Sequence, residues 1–328
     1  MNLRFIGILC LSFLIAFTPC VSQAQNTAKT KTLERNIRAE LGFLASDAMQ
    51  GRGSGSGYER LAAEYIGSQF RQFGLEPAGD KDETGQQSFV QRASFSETVT
   101  WNAVGVLRGS DRRSAKEVVM LSAHLDHLGT TEDAAPGTDA IFNGADDDAS
   151  GCVAVLELAR ALASGKRPKR TIYFICFGSE ERGGYGAQYF VAHSPVALEQ
   201  VVADVTFEML GRPDSKVPAN TLWLTGYERS TLGPELAKHG ALLVADPHPQ
   251  QNFFQRSDNY TLALRGVVAH TVSSFGLHTD YHRPSDDVSK IDFGFMTRAI
   301  ASLIKPIRWL ADSSFKPAWL PGKMPTRG

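Results

Sequence analysis

VVMLSAHLDHLG (118–129) is a run of six apolar or small residues followed at once by an imidazole, a carboxylate and a second imidazole. The run lacks the alternation of a strand with one wet face, so it predicts a strand over Val118–Ala123 buried on both sides. TIYFICFGSEE (171–181) repeats the pattern, with the strand read over Arg170–Phe177 and polar residues directly after it. Two further apolar runs give strands at Val201–Leu210 and Gly266–Val272. Apolar residues at helical spacing lie between and beyond these runs, over about 149–164, 183–192, 229–239 and 292–311. Strand–helix–strand alternation implies an α/β fold of three α/β/α layers around a mostly parallel sheet. The less regular segment 86–108 predicts antiparallel strands at one edge, and Pro306 predicts a kink or early end in the last helix.

Upstream, apolar spacing marks helices over about 31–46 (Leu33, Ile37, Leu41, Leu44) and 57–73 (Ala62, Ile66, Phe70, Phe73). GRGSGSG (51–57) between them reads as a loop, and the lack of a following Gly-Lys-Ser/Thr excludes a phosphate loop. Nothing resembling a linker divides 25–315, which predicts a single domain, with 316–328 as an extended C-terminal tail. Residues 1–24 read as a secretory signal peptide: Arg4, the apolar run 5–17, then Ser22-Gln23-Ala24 at the cleavage site. That run is shorter than the roughly 20 residues of a spanning helix, so no stable membrane insertion is expected after cleavage. The expected location is secreted or periplasmic. Loss of the leader leaves Cys152 and Cys176, both in apolar runs and expected as buried thiols.

The 328 residues carry 34 basic and 35 acidic side chains, a net charge of −1, so no bulk field draws the chain to nucleic acid or an anionic membrane. The basic loop Lys166–Arg170 has no aromatic support and reads as a solvated face.

In an open α/β sheet, functional groups collect outside the carboxyl ends of the strands. There the chain places His124, Asp126 and His127, then Glu180 and Glu181, then Glu208, with Asp146, Asp147 and Asp148 opening a helix and Asp280–Asp286 after the last strand. Carboxylates crowded on a half-buried rim repel one another unless cations hold them. Two divalent ions with a bridging hydroxide would balance three carboxylates, and neutral imidazoles with oxygen ligands suit zinc.

HLDH (124–127), GADDDASG (144–151), GSEE (178–181), FEMLG (207–211) and YHRPSD (281–286), in this order, resemble the secreted zinc exopeptidases typified by bacterial leucyl aminopeptidase, aminopeptidase Y and glutamate carboxypeptidase. The resemblance extends to LASDAMQGRGSGSGYERLAAEYI (44–66), GLEPAG (74–79) and RSDNY (256–260). It implies a zinc-dependent aminopeptidase acting on peptides, with two zinc ions per chain and a one-metal site as the alternative. By the same resemblance His124 and Glu208 would hold one metal, His282 and Glu181 the other, and Asp147 would bridge them through a carboxylate aimed by a cis Asp147–Asp148 peptide. Glu180 would be the general base, Asp126 would accept the ring N–H of His124, and Tyr281 would donate to the oxyanion. Many members carry Asp where this chain has Glu208, one methylene longer, and the chain lacks the domain that some members insert after 104–108. A carboxypeptidase-like hydrolase or glutaminyl cyclase on the same fold is the alternative, and a non-catalytic binding module the third reading. Asp146 and Asp148 read as helix-capping, His193, His239, His248 and His270 as structural, and His278 as part of the loop before His282; His127 is left open between cleft and surface.

Overall fold

A computed structural model describes residues 18–95, 97–131, 135 and 137–326, with side chains from residue 28 onward. The N-terminal part supplies helices α1 (Thr18–Leu44) and α2 (Gly57–Gln72) and the strands β1 (Glu76–Pro77), β2 (Val90–Phe95) and β3 (Thr98–Leu107). Next come β4 (Val118–His124), a small hairpin of β5 (Gly129–Thr130) and β6 (Ile141–Phe142), α3 (Gly151–Ala163), β7 (Thr171–Phe177), α4 (Tyr185–Ala192) and β8 (Val201–Glu208). The last third holds β9 (Leu222–Leu224), α5 (Leu232–Lys238), β10 (Leu243–Ala245), α6 (Asn259–Ala263), β11 (Ala269–Ser273) and α7 (Phe293–Asp312).

Nine strands form one sheet in the order β1-β3-β7-β4-β8-β11-β9-β10, with β2 paired to β3. The central four, β7, β4, β8 and β11, run parallel; β3 against β7 and β9 against β11 are antiparallel. Every residue of β4 and β7 is buried. Val119, Leu121 and Ala123 face a core built with α1, α2, α3 and α7, while Val118 and Met120 face the opposite layer with Phe190 and Leu262. Burial on both faces is why these strands read as continuous apolar runs. The register sets His124 opposite Phe177 and Glu208 opposite Ser273, so the parallel strands end on one rim.

The single α/β domain with antiparallel edge strands is therefore as read from the sequence, and the helix over 57–73 matches α2 to within a residue. Pro306 neither ends nor shortens α7, which continues to Asp312. The buried face of that helix, including Phe295, Met296, Ile300, Leu303, Ile307 and Leu310, outweighs a proline penalty of about 3 kcal/mol, since each large apolar side chain buried gives about 1.5–3 kcal/mol. The three-residue strands β9 and β10 were not foreseen. Cys152 and Cys176 are free and buried. Of the leader assigned to 1–24, residues 1–17 lie outside the described residues and 18–24 belong to α1. Among the described residues, the tail from 316 to 326 has no helix or strand and lies along the body, with Lys316 Nζ 2.6 Å from Glu117 and Trp319 Nε1 donating to the Gly266 carbonyl at 3.1 Å.

Candidate active site

His124 closes β4, and the two residues after it turn the chain so that the Asp126 carboxylate lies buried behind the rim. That carboxylate accepts from Ser54 Oγ at 2.6 Å and from the backbone amides of Glu180 and Glu181 at 2.9 and 3.3 Å, which fixes the turn after β7 to the end of β4. The nearest partner of His124 Nδ1 is the Asp126 backbone carbonyl at 3.2 Å, with the carboxylate at 3.7 Å. Both the backbone carbonyl and the carboxylate of Asp126 thus face the ring on its Nδ1 side.

The three aspartates of 146–148 point in three directions. Asp148 turns inward to the amides of His124, Gly151 and Met209 at 3.0–3.2 Å. Asp146 accepts from Gly211 N at 2.7 Å and lies 3.0 Å from His278 Nε2. Asp147, joined to Asp148 by a cis peptide, faces the rim. Its Oδ1 is 3.1 Å from His124 Nε2 and its Oδ2 is 3.2 Å from His282 Nε2. Glu181 completes the cluster, with Oε2 3.2 Å from His282 Nε2 and Oε1 2.9 Å from His127 Nδ1. The loop carrying His282 is anchored by Asp286, whose carboxylate accepts the amides of Asp146 and Asp147 at 3.1 Å, and by Arg212, which reaches Asp280 at 2.7 Å and Asp286 at 3.3 Å. Ser179, Met209 and His282 all take left-handed φ near 55°, a conformation non-glycine residues keep only where the surroundings enforce it.

Glu180, Glu208 and Tyr281 line one pocket with Asp147 and Glu181, and its remaining lining mixes the apolar Met209, Trp223, Phe253 and Phe275 with Thr225, Arg256, Thr271 and Ser273. The Tyr281 ring stacks on His282 at 3.8 Å between centroids. Burial, joined by the charges of Asp258, Glu208 and Glu181, pushes the Glu180 carboxyl well above its ordinary range against the pull of His124. Burial also lifts Glu208 to about 7. Burial opposes ionisation of Asp147 as well, but hydrogen bonds from His124 and His282 prevail and hold it well below the usual carboxylate range.

The donor set fits zinc. Ligand atoms of His124, Asp147 and Glu181 lie within 4.8 Å of one another. His282 Nε2 lies 3.2 Å from both Asp147 Oδ2 and Glu181 Oε2, so potential ligand atoms from three segments converge on one point. Imidazole nitrogens and carboxylate oxygens are ordinary zinc ligands.

Of the residues singled out in the sequence, His124, Asp147, Glu181 and His282 are brought into direct contact, Glu180, Glu208 and Tyr281 line the same pocket, and Asp126 stands behind them. His127, left open, is fully buried against Glu181; its place in HLDH, on the rim after β4, was the available signal. Arg52 was missed, though its guanidinium donates to the carbonyls of Leu44, Leu125, Asn143 and Gly144.

The model of peptidase family M28 matches residues 102–305. The chain belongs to peptidase family M28. Leucine aminopeptidase 2 of Trichophyton rubrum, a curated relative, is 27% identical over 241 residues, covering 64% of this M28 chain and 45% of that protein. The chain thus spans less than half the length of that relative. Among solved structures, an aminopeptidase from Aneurinibacillus sp. strain AM-1 superposes with a TM-score of 0.65 at 15% identity, covering 91% of this chain and 99% of that one. Porphyromonas gingivalis glutaminyl cyclase superposes at 0.59 with 18% identity, covering 84% and 97%. At these identities the likeness is one of fold.

Proposed function

We propose that this M28 protein is an exported zinc aminopeptidase that removes N-terminal residues, preferentially apolar ones, from peptides. The observation that carries the reading is the Asp147 carboxylate presenting one oxygen to His124 and the other to His282. His124 and Glu208 would hold one zinc and His282 and Glu181 a second, with Asp147 shared. When bound, zinc supplies Lewis acidity toward the scissile carbonyl and lowers the pKa of water near it. Glu180, adjacent to the ligands without being one of them, takes the proton of the attacking water and returns it to the leaving amine. The Tyr281 hydroxyl donates to the oxyanion that develops on the carbonyl, and its ring is held by stacking on His282. Met209, Trp223, Phe253 and Phe275 exclude water from the pocket and favour an apolar side chain. The segment 1–24 would direct export to the periplasm or medium, with cleavage after Ala24.

Metal analysis of the purified protein, with hydrolysis of a panel of aminoacyl-p-nitroanilides and N-terminal sequencing of the exported form, tests the proposal. Zinc bound with fastest turnover of leucyl or phenylalanyl substrates supports it. Cyclisation of N-terminal glutamine without hydrolysis of any panel member would refute it in favour of a cyclase.

A further inference from the structure

Ser56-Gly57-Tyr58-Glu59 has the S-x-x-E form of a helix capping box, in which the serine hydroxyl caps the first turn and the glutamate folds back onto the serine's own N–H. Only the first half forms here: Ser56 Oγ accepts from the amides of Tyr58 and Glu59 at 3.2 Å. Ser56 N donates instead to the Gly53 carbonyl at 2.9 Å. The Glu59 side chain turns inward and is fully buried. Its Oε2 accepts from Gly55 N at 2.8 Å, and its Oε1 accepts from Thr100 Oγ1 at 2.7 Å and from Ser179 Oγ at 3.0 Å.

Ser179 is the residue before Glu180 and holds a left-handed φ of 53°. Contact between the two segments is close, since a Cβ at Gly178 would collide with Thr100 Oγ1 and lie 2.7 Å from Glu59 Oε1. The same segment also supplies Ser54, which donates to the Asp126 carboxylate that receives the amides of Glu180 and Glu181. One glycine-rich stretch therefore holds the turn after β7 at two points: Ser54 through Asp126 at the amides, and Glu59 at the Ser179 side chain. A capping glutamate on the surface would serve the helix without the cost of burial. The inward rotamer gives up the Ser56 amide and gains the Ser179 hydroxyl.

We propose that Glu59 is a positioning residue for Glu180: it holds the Ser179 hydroxyl, maintains the left-handed backbone there, and so sets the aim of the carboxylate that follows. The proposal rests on the reading of Glu180 as base. Without Glu59, Ser179 is free to relax toward negative φ, which swings the Ser179–Glu180 peptide and withdraws the carboxylate from the pocket.

The test compares Glu59→Ala, Ser179→Ala and the double variant as zinc-loaded protein, with leucyl-p-nitroanilide as substrate and with amide hydrogen exchange over 178–184. Each single variant is expected to lower kcat on the order of ten- to a hundredfold, as misplacement of a catalytic group by about 1 Å does, with KM and zinc content nearly unchanged. The double variant should be no worse than the poorer single one, because both remove the same contact. Exchange at the Glu180 and Glu181 amides should quicken by about tenfold while β4 keeps its protection. Effects that multiply in the double variant, or a fall in Tm with unchanged exchange in the turn, would overturn the proposal. If Glu59→Ala does not fold, Ser179→Ala alone decides it by the same readouts. If the wild type hydrolyses no panel substrate, the base assignment fails separately, and the exchange measurement still decides whether Glu59 holds the turn.

Discussion

Arg52 offers a perturbation whose size follows from its contacts. The residue is 1% exposed, with Nε donating to the Leu125 carbonyl at 2.9 Å, Nη1 to Leu44 and Asn143 at 2.6 and 2.7 Å, and Nη2 to Gly144 at 3.0 Å. These carbonyls belong to three separate segments: the end of α1, the residue after His124, and the loop entering Asp146–Asp148. Arg52→Met keeps much of the stem and deletes every donor. An orphaned buried carbonyl costs about 1–3 kcal/mol, so four of them set an upper bound on the order of 4–12 kcal/mol. Water entering the vacated space recovers part of this, and the variant no longer bears the desolvation of a buried guanidinium. A net loss of about 3–5 kcal/mol, near the lower end of that bound, is expected. At about 2–4 °C per kcal/mol this lowers Tm by on the order of 10 °C. Urea unfolding of zinc-free protein, followed by tryptophan fluorescence, measures it without the stabilisation that bound metal adds. Arg52→Lys keeps the charge but not the planar fork and should fall between the two. A loss below about 1 kcal/mol for Arg52→Met, typical of a surface site, would refute the reasoning.

Glu180→Gln should lower kcat by about a hundred- to ten-thousand-fold with zinc retained, whereas Glu181→Gln should lose zinc first; the opposite pattern in metal analysis would mean that the two roles are reversed. Tyr281→Phe should reduce kcat by about a hundredfold with little change in KM, and full activity in that variant would remove the hydroxyl from the mechanism. Burial and the neighbouring Glu157 push the Glu40 carboxyl up to about 9, against the opposing pull of Arg160. The folded chain therefore binds a proton that the unfolded chain releases near its ordinary value, so this group favours folding most at low pH and that contribution is lost as pH rises toward 9. Glu40→Gln should flatten the decline of urea midpoints between about pH 5 and 9, and a parallel decline in both proteins would contradict the assignment.

The central strands were legible because burial on both faces leaves no wet side: the apolar runs at 118–123 and 170–177 mark β4 and β7 to within a residue. The rim chemistry was legible for the same reason, since polar residues directly after such runs have few places to go. β9 and β10, at three residues each, are too short to show a period. The supports of the site escaped notice because they act across long separations: Arg52 and Glu59 sit in or beside a stretch whose glycines read as loop, and nothing local shows that their side chains point inward. His278 lies in the loop before His282, as read, and from there it contacts Asp146 and Arg212, which the sequence did not show. Local composition identifies a loop but not the partner it meets.

The bond between Asp286 and the Asp147 amide joins residues 139 positions apart, and His282 lies on the same late segment. Contacts of this range form late, after the loop-closure entropy has been overcome. β4, β7 and β8 carry the carboxylates of the rim, whereas the brace on Asp147 and the second imidazole come from the loop after β11, far later in the chain. A product ending short of residue 280 carries the acidic rim and the general base but neither His282 nor the clamp. On the roles proposed above, a chain that ends there lacks one imidazole of the metal site together with the brace of the bridging carboxylate, so peptide hydrolysis depends on the last part of the chain being in place.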